Sequence, residues 1–176
     1  MAEKFKLVAP VTGKCVDISQ VPDETFAGRV LGDGVAFEFE GNEVCSPCSG
    51  EITMTAETNH AVGITADGGM EILLHVGIDT VALNGKGLTM LVKDGQKVKV
   101  GTPLIRVDRK YMKEQKINMI TPMVLTNGED LVYQLTGVGQ NVTMGKTSVV
   151  AYDGVAQAAS TAADRASNAG TADAGA

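Results

Sequence analysis

An antiparallel all-β architecture, a β-sandwich or barrel-sandwich hybrid, is predicted by three features of the 176-residue sequence. Short apolar segments alternate with glycine-rich turns along the whole chain, which contains 21 glycines. Only two stretches, 22–30 and 109–114, have helical character, and both are short. Turn-plus-strand units also recur in pairs. "APVTGKCV" (9–16) resembles "SPCSGEIT" (46–53), and "GQKVKVGTPLI" (95–105) resembles "GQNVTMGKTSV" (139–149). Two copies of each indicate a pseudo-duplicated domain and not a solenoid.

The strands follow in order from this punctuation. Segment 6–9 stops at Pro10, 13–19 opens at Gly13, and 34–40 runs between Gly34 and Gly41. Segments 43–46 and 50–54 flank Pro47 and Gly50, and 61–65 and 70–75 flank Ala66-Asp67-Gly68-Gly69. Segment 88–91 follows Gly85-Lys86-Gly87, 97–98 follows Asp94-Gly95, and 103–107 opens at Pro103. Segment 121–125 closes at Asn127-Gly128, 133–135 before Gly137, and 147–152 at Asp153-Gly154. Aromatics make up only 4% and Trp is absent, so the core must be built from aliphatic residues and Met.

Residues 1–153 are expected to form one folded domain. Residues 154–176 hold ten alanines among Gly, Ser, Thr, Asp and Asn, with no apolar face, and read as a disordered tail. A formal net charge of −6 argues against nucleic-acid binding. The N-terminus lacks a signal peptide's apolar region, and no apolar run is long enough to span a membrane, so a cytoplasmic, non-embedded protein is expected. Cys45-Ser-Pro-Cys48 has no partner motif, and with Cys15 it reads as a set of structural thiols.

Both histidines of the chain, His60 and His75, bracket one hairpin. If Ala66–Gly69 forms a four-residue loop, Thr65 faces Met70, Val62 faces Leu73, and His60 faces His75. Directly opposed Cβ atoms lie about 4.5–5.5 Å apart on one face. Three readings of this pair compete. It is a structural pair, or a metal site completed by Asp79, or a nucleophilic site in which one imidazole attacks and the other stabilises the transferred group.

The surrounding residues favour the third reading. "TNHAVGIT", "LLHVGIDTV" and "LNGKG", with "APVTG", "VPDETFAGRVLGDGVAF", "SPCSGEI", "VKDGQKVKVGTPL" and "TPMVLTN", keep their order and spacing across residues 8–126. Together they resemble the glucose-family enzyme IIA component of the bacterial phosphoenolpyruvate:sugar phosphotransferase system. The resemblance implies a β-sandwich with a shallow apolar active face, working as a phosphotransferase. It implies that His75 accepts phosphate from the phosphorylated histidine carrier protein (HPr) and passes it to a cysteine of a permease IIB domain. His60 then supports the acceptor, Thr58 orients His60, the Gly77 carbonyl holds the acceptor ring, and Asp79 is the acidic neighbour. Phe26, Val62 and Leu73 are expected to line the docking face, although Ala56 and Val62 stand where family members often carry aromatics. No cofactor is expected to be required, with adventitious or regulatory zinc at His60 and His75 as the one metal expectation. Regulatory target proteins are allowed as further partners.

Two other classes fit less well. A zinc hydrolase of related architecture needs a His-x-His that a chain with two histidines cannot supply. A non-catalytic regulatory protein of the same fold has no need for the intact pair. The sugar itself is not encoded, because specificity resides in a membrane domain absent from this sequence.

Overall fold

The computed structural model describes residues 4–154; the expected tail beyond Gly154 lies outside the described residues. The chain runs β1 (Lys4–Val8), β2 (Gly13–Asp17), a 3-10 turn (Ile18–Gln20), α1 (Glu24–Ala27), β3 (Asp33–Phe39), β4 (Glu43–Cys45), β5 (Gly50–Thr55), β6 (Ala61–Ala66) and β7 (Glu71–His75). A second 3-10 turn (Thr80–Leu83) leads to β8 (Leu88–Met90), β9 (Lys97–Val98), β10 (Pro103–Val107) and α2 (Arg109–Glu114). Then come β11 (Ile120–Leu125), a third 3-10 turn (Gly128–Asp130), β12 (Tyr133–Leu135), β13 (Asn141–Val142) and β14 (Ser148–Asp153).

The strand pairs are all antiparallel. One sheet has the order β13-β2-β3-β11-β7-β6-β5-β9, and two three-stranded sheets have the orders β1-β14-β12 and β4-β10-β8. The barrel does not close. Leu7, Val44, Ile52, Ile64, Leu74, Leu104, Met123 and Val150, drawn from all three sheets, are almost fully buried in one core. Each such side chain contributes about 1.5–3 kcal/mol relative to exposure.

A second, smaller cluster lies on the other face of the large sheet. Ile18, Val21 and Phe26 from the first 3-10 turn and α1 cover Ala36, Val124, Ile78 and Ile120, with Leu73 packed against them. Alternation of side chains along β7 explains the division: Ile72 and Leu74 point to the main core, Leu73 to this cluster. The helical expectation over 22–30 shrinks to one four-residue helix. Asp23 caps it by accepting from the Thr25 amide at 2.9 Å, and Arg29 just beyond Gly28 is left-handed with φ 58°. The 109–114 expectation is met by α2. Strand β13 is not among the expected strands, although it sits in the repeat at 139–149 where β9 sits in the repeat at 95–105.

The internal repeats reappear as matched hydrogen bonds. Gly13 pairs with Val142 and Lys14 with Asn141, as Gly50 pairs with Val98 and Glu51 with Lys97. The Gly139 amide bonds Cys15 and the Gly95 amide bonds Ile52, at 2.8 and 2.7 Å. Where the halves meet, the Val8 amide bonds the Pro47 carbonyl and the Cys45 amide bonds the Pro10 carbonyl, at 2.9 and 2.8 Å. The repeat glycines sit where strands touch backbone to backbone. A Cβ on Gly50 would lie 2.2 Å from the Thr65 carbonyl oxygen, and one on Gly13 would lie 1.9 Å from that of Glu38. Gly50→Ala must push β5 and β6 apart, so it should cost more than about 2 kcal/mol. The expected fall in melting temperature is about 5 °C or more; an unchanged midpoint in thermal denaturation would remove the close approach as a constraint.

Candidate active site

The hairpin loop is one residue shorter than expected. The Ala66 amide bonds the Met70 carbonyl at 2.8 Å, which leaves Asp67-Gly68-Gly69 as the loop, with Gly69 at φ 99°. The register is therefore displaced by one: Ala61 faces His75, Val62 faces Leu74, and Gly63 faces Leu73. A one-residue slip exchanges the faces of a strand. Val62 accordingly lies in the main core, fully buried, and cannot belong to a docking rim. The expected opposition of Val62 to Leu73, and of His60 to His75, is corrected on the same ground.

The two imidazoles nonetheless meet, with ring centroids 4.9 Å apart and planes at 74°. His60 precedes β6 and escapes its alternation. Asn59 is left-handed at φ 61°, and its amide closes a turn onto the Ala56 carbonyl at 2.9 Å. The Asn59 side chain anchors this bend by donating to the Leu88 carbonyl at 3.1 Å. Opposite His75 the strand presents only the methyl group of Ala61. Phe26 completes the cluster, its ring 4.9 Å from that of His75 at 61°, and is itself buried. It therefore acts as a wall of the site more than as an open docking surface. Arg29, bonded to Asp17 and Asp33 at 3.0 Å each, ties the exit of α1 to β2 and β3.

The ring nitrogens are distinguished by their partners. His75 Nδ1 lies 2.8 Å from the carbonyl oxygen of Gly77. A carbonyl only accepts, so Nδ1 carries the hydrogen and the lone pair of the neutral ring sits on Nε2. Gly77 has φ 69°, and a Cβ there would meet Thr80 Cγ2 at 2.8 Å, so glycine is required. Thr58 Oγ1 lies 2.6 Å from His60 Nδ1. If the hydroxyl donates, the hydrogen of His60 is left on Nε2.

Burial lowers the pKa of both histidines, and for His60 the neighbouring His75 lowers it further. Opposing this at His75 are the Gly77 hydrogen bond and the carboxylates of Asp23 and Asp79. The folded protein thus resists protons that the unfolded chain binds. Stability should fall as pH drops through the interval below the ordinary histidine value of about 6.5, and be fully present above it. NMR titration should place both midpoints below that of a model imidazole; a midpoint at or above it would contradict the buried neutral pair.

Thr58, His60, His75 and Gly77 thus form one hydrogen-bonded and ring-packed group. Asp79 stands exposed and left-handed at φ 59° at the head of the second 3-10 turn, with no side-chain cap bond. Among the described residues there is no group of three or more His, Cys, Asp and Glu able to hold a metal, so Asp79 does not complete a three-ligand set with the histidines. Leu73 is half-buried on the face of His75. Sequence reasoning missed Asp23 as an electrostatic neighbour, because "PDE" signals a helix start and nothing more. It also missed exposed Val30, Leu31 and Val81, the apolar side chains that follow α1 and Asp79 along the chain. The thiols of Cys15 and Cys48 are pushed up to about 12 and that of Cys45 to about 11 by burial, which suits inert structural cysteines.

Residues 5–131 match the family described as phosphoenolpyruvate-dependent sugar phosphotransferase system, EIIA 1. The chain is 44% identical over 144 residues to the glucose-specific EIIA component of Bacillus anthracis, covering 82% of this chain and 87% of that protein. It is 42% identical over 121 residues to a glucoside-specific EIICBA component of Staphylococcus carnosus, covering 69% of this chain and 18% of that larger protein. Among solved structures, glucose permease IIA from Mycoplasma capricolum superposes with a TM-score of 0.78 at 34% identity, over 84% of this chain and 96% of that one.

Proposed function

The chain belongs to the EIIA 1 family of the phosphoenolpyruvate-dependent sugar phosphotransferase system, whose members are phosphotransferases carrying a phosphohistidine intermediate, and on that premise we propose that His75 Nε2 is its phosphoryl acceptor. The observation that carries this reading is the bond from His75 Nδ1 to the Gly77 carbonyl, which leaves Nε2 as the nucleophilic nitrogen.

In the first half-reaction, the Nε2 lone pair attacks the phosphorus of the phosphorylated histidine carrier HPr. The donor's N–P bond breaks, and its electron pair returns to the carrier's imidazole. In the second, a thiolate of a IIB domain attacks the same phosphorus, and the pair returns to Nε2 of His75. The glucoside-specific relative, whose name joins IIC, IIB and IIA parts in one chain, supports a IIB domain as the receiving partner. Catalysis here is positioning plus electrostatics. A neutral His60 whose Nδ1 accepts from Thr58 offers its Nε2 hydrogen to phosphoryl oxygens that carry ~1.5–2 negative charges. Asp79 and Asp23 border the group and favour release of so much negative charge. Partners dock around Leu73 and exposed Val30, Leu31 and Val81, with Phe26 supporting from below. The reaction needs no cofactor, and the protein works in the cytoplasm; no helix of the described residues is long and apolar enough to cross a membrane.

The testing experiment incubates the protein with phosphoenolpyruvate, enzyme I and the histidine carrier, then maps the acid-labile phosphate. One phosphate on Nε2 of His75 is expected, passing on to an added IIB domain. Phosphate on any other residue would overturn the assignment.

A further inference from the structure

Two threonines beside the acceptor loop, Thr80 and Thr121, are fully buried. Thr80 Oγ1 donates to the carbonyl of Val76 at 2.6 Å. Thr121, on β11, donates its one hydroxyl proton to the Met119 carbonyl at 3.0 Å, which turns a lone pair toward the Gly77 amide 3.4 Å away. The two hydroxyls therefore hold opposite ends of a single peptide plane, that joining Val76 to Gly77. The next plane is held as well: the Ile78 amide donates to the Asn118 carbonyl at 2.9 Å, and the Gly77 carbonyl accepts from His75 Nδ1.

Gly77 is the joint between these planes, and glycine is the residue whose backbone rotates most freely. The ladder between β7 and β11 stops at Leu74 and Met123, one residue before Pro122, which has no amide hydrogen to extend it. On the β11 side the ladder thus stops short of the segment that orients the acceptor ring, while on the β6 side the Val76 amide still donates to the His60 carbonyl at 2.7 Å. The Ile78 bond holds the plane that leaves this joint, and the two threonines hold the plane that enters it.

We infer that Thr80 and Thr121 are positioning residues for phosphoryl transfer: by clamping the Val76–Gly77 peptide they hold the Gly77 carbonyl on His75 Nδ1 and so determine which ring nitrogen is open to phosphate. The consequence for transfer rests on His75 being the acceptor; the effect on its tautomer does not.

Long-range nitrogen–proton NMR of the unphosphorylated full chain reads the tautomer directly. Wild-type His75 is expected as the Nδ1–H form. Thr80→Val with Thr121→Val keeps both branched shapes and removes both hydroxyls. The ratio of Nδ1–H to Nε2–H should fall about fivefold, the worth of one ordinary hydrogen bond, and delivered phosphate should appear on both nitrogens. Thr80→Ser with Thr121→Ser should restore the wild-type ratio. If the double valine variant does not fold, each single valine variant is read in the same way, with a smaller shift expected. A folded valine variant with the wild-type tautomer and phosphate on Nε2 alone overturns the inference. A shifted tautomer in a protein that never takes phosphate on His75 upholds the clamp and removes His75 as acceptor.

Discussion

His75→Ala takes up no phosphate from the phosphorylated carrier, while its fold and melting temperature stay close to wild type. The ring is half-buried at the end of β7, outside the main core, so its removal leaves a gap beside Phe26 and His60 and none among the aliphatic residues between the sheets. The chemical loss, by contrast, is total, because no other imidazole is placed to replace it. His60 has its Nδ1 occupied by Thr58 at 2.6 Å and lacks the Gly77 carbonyl that orients a neighbouring lone pair. Radiolabel transfer under conditions that saturate wild type gives the reading. Wild-type incorporation in His75→Ala would move the acceptor elsewhere and undo the proposed chemistry.

Replacing His60 separates acceptance from delivery. A hydrogen bond to a charged group contributes about 1.5–3 kcal/mol, so its loss in the transition state slows transfer about 10- to 150-fold. His60→Gln keeps a donor and should still allow His75 to be phosphorylated. Delivery to the IIB thiolate should suffer more, since charge then spreads over equatorial oxygens that a fixed donor stabilises. His60→Ala should slow both half-reactions, and Thr58→Val should weaken the site in the same sense by freeing the His60 ring. Rapid-quench measurement of each half-reaction decides. Wild-type rates in both directions for both His60 variants would reduce His60 to a packing residue.

The sequence announces the strands because glycine and proline mark where each begins, and the paired motifs at 9–16 and 46–53 announce the duplication. It also announces the two histidines as a group, but by reasoning that the structure alters. Counting residues across Asp67-Gly68-Gly69 cannot reveal whether Ala66 belongs to the loop or the strand, and that one residue sends Val62 into the core. The rings meet for a reason that periodicity does not encode: the left-handed turn at Asn59 frees His60 from the pleat. Asp23 and the threonine clamp were illegible for a related reason. Asp23 and Thr121 reach the acceptor loop from segments distant in sequence, Thr80 reaches it from the irregular turn that follows, and a capping aspartate or a threonine looks the same wherever it points.

The exchanged bonds at the centre of the repeat, Val8 to Pro47 and Cys45 to Pro10, have a consequence for how the molecule comes apart. Each copy is also closed over a long stretch of chain: β13 from the far end edges β2 at its beginning, and β9 edges β5. The two copies bond each other at the centre, and contacts that close such long loops are expected to form late and slowly. Opening should therefore be cooperative across the whole sandwich, with no half melting ahead of its twin. The acceptor loop stands on β7 and β11, two central strands of that interlocked body. A phosphate carrier that must meet one partner and then another can in this way present the same rigid face to both.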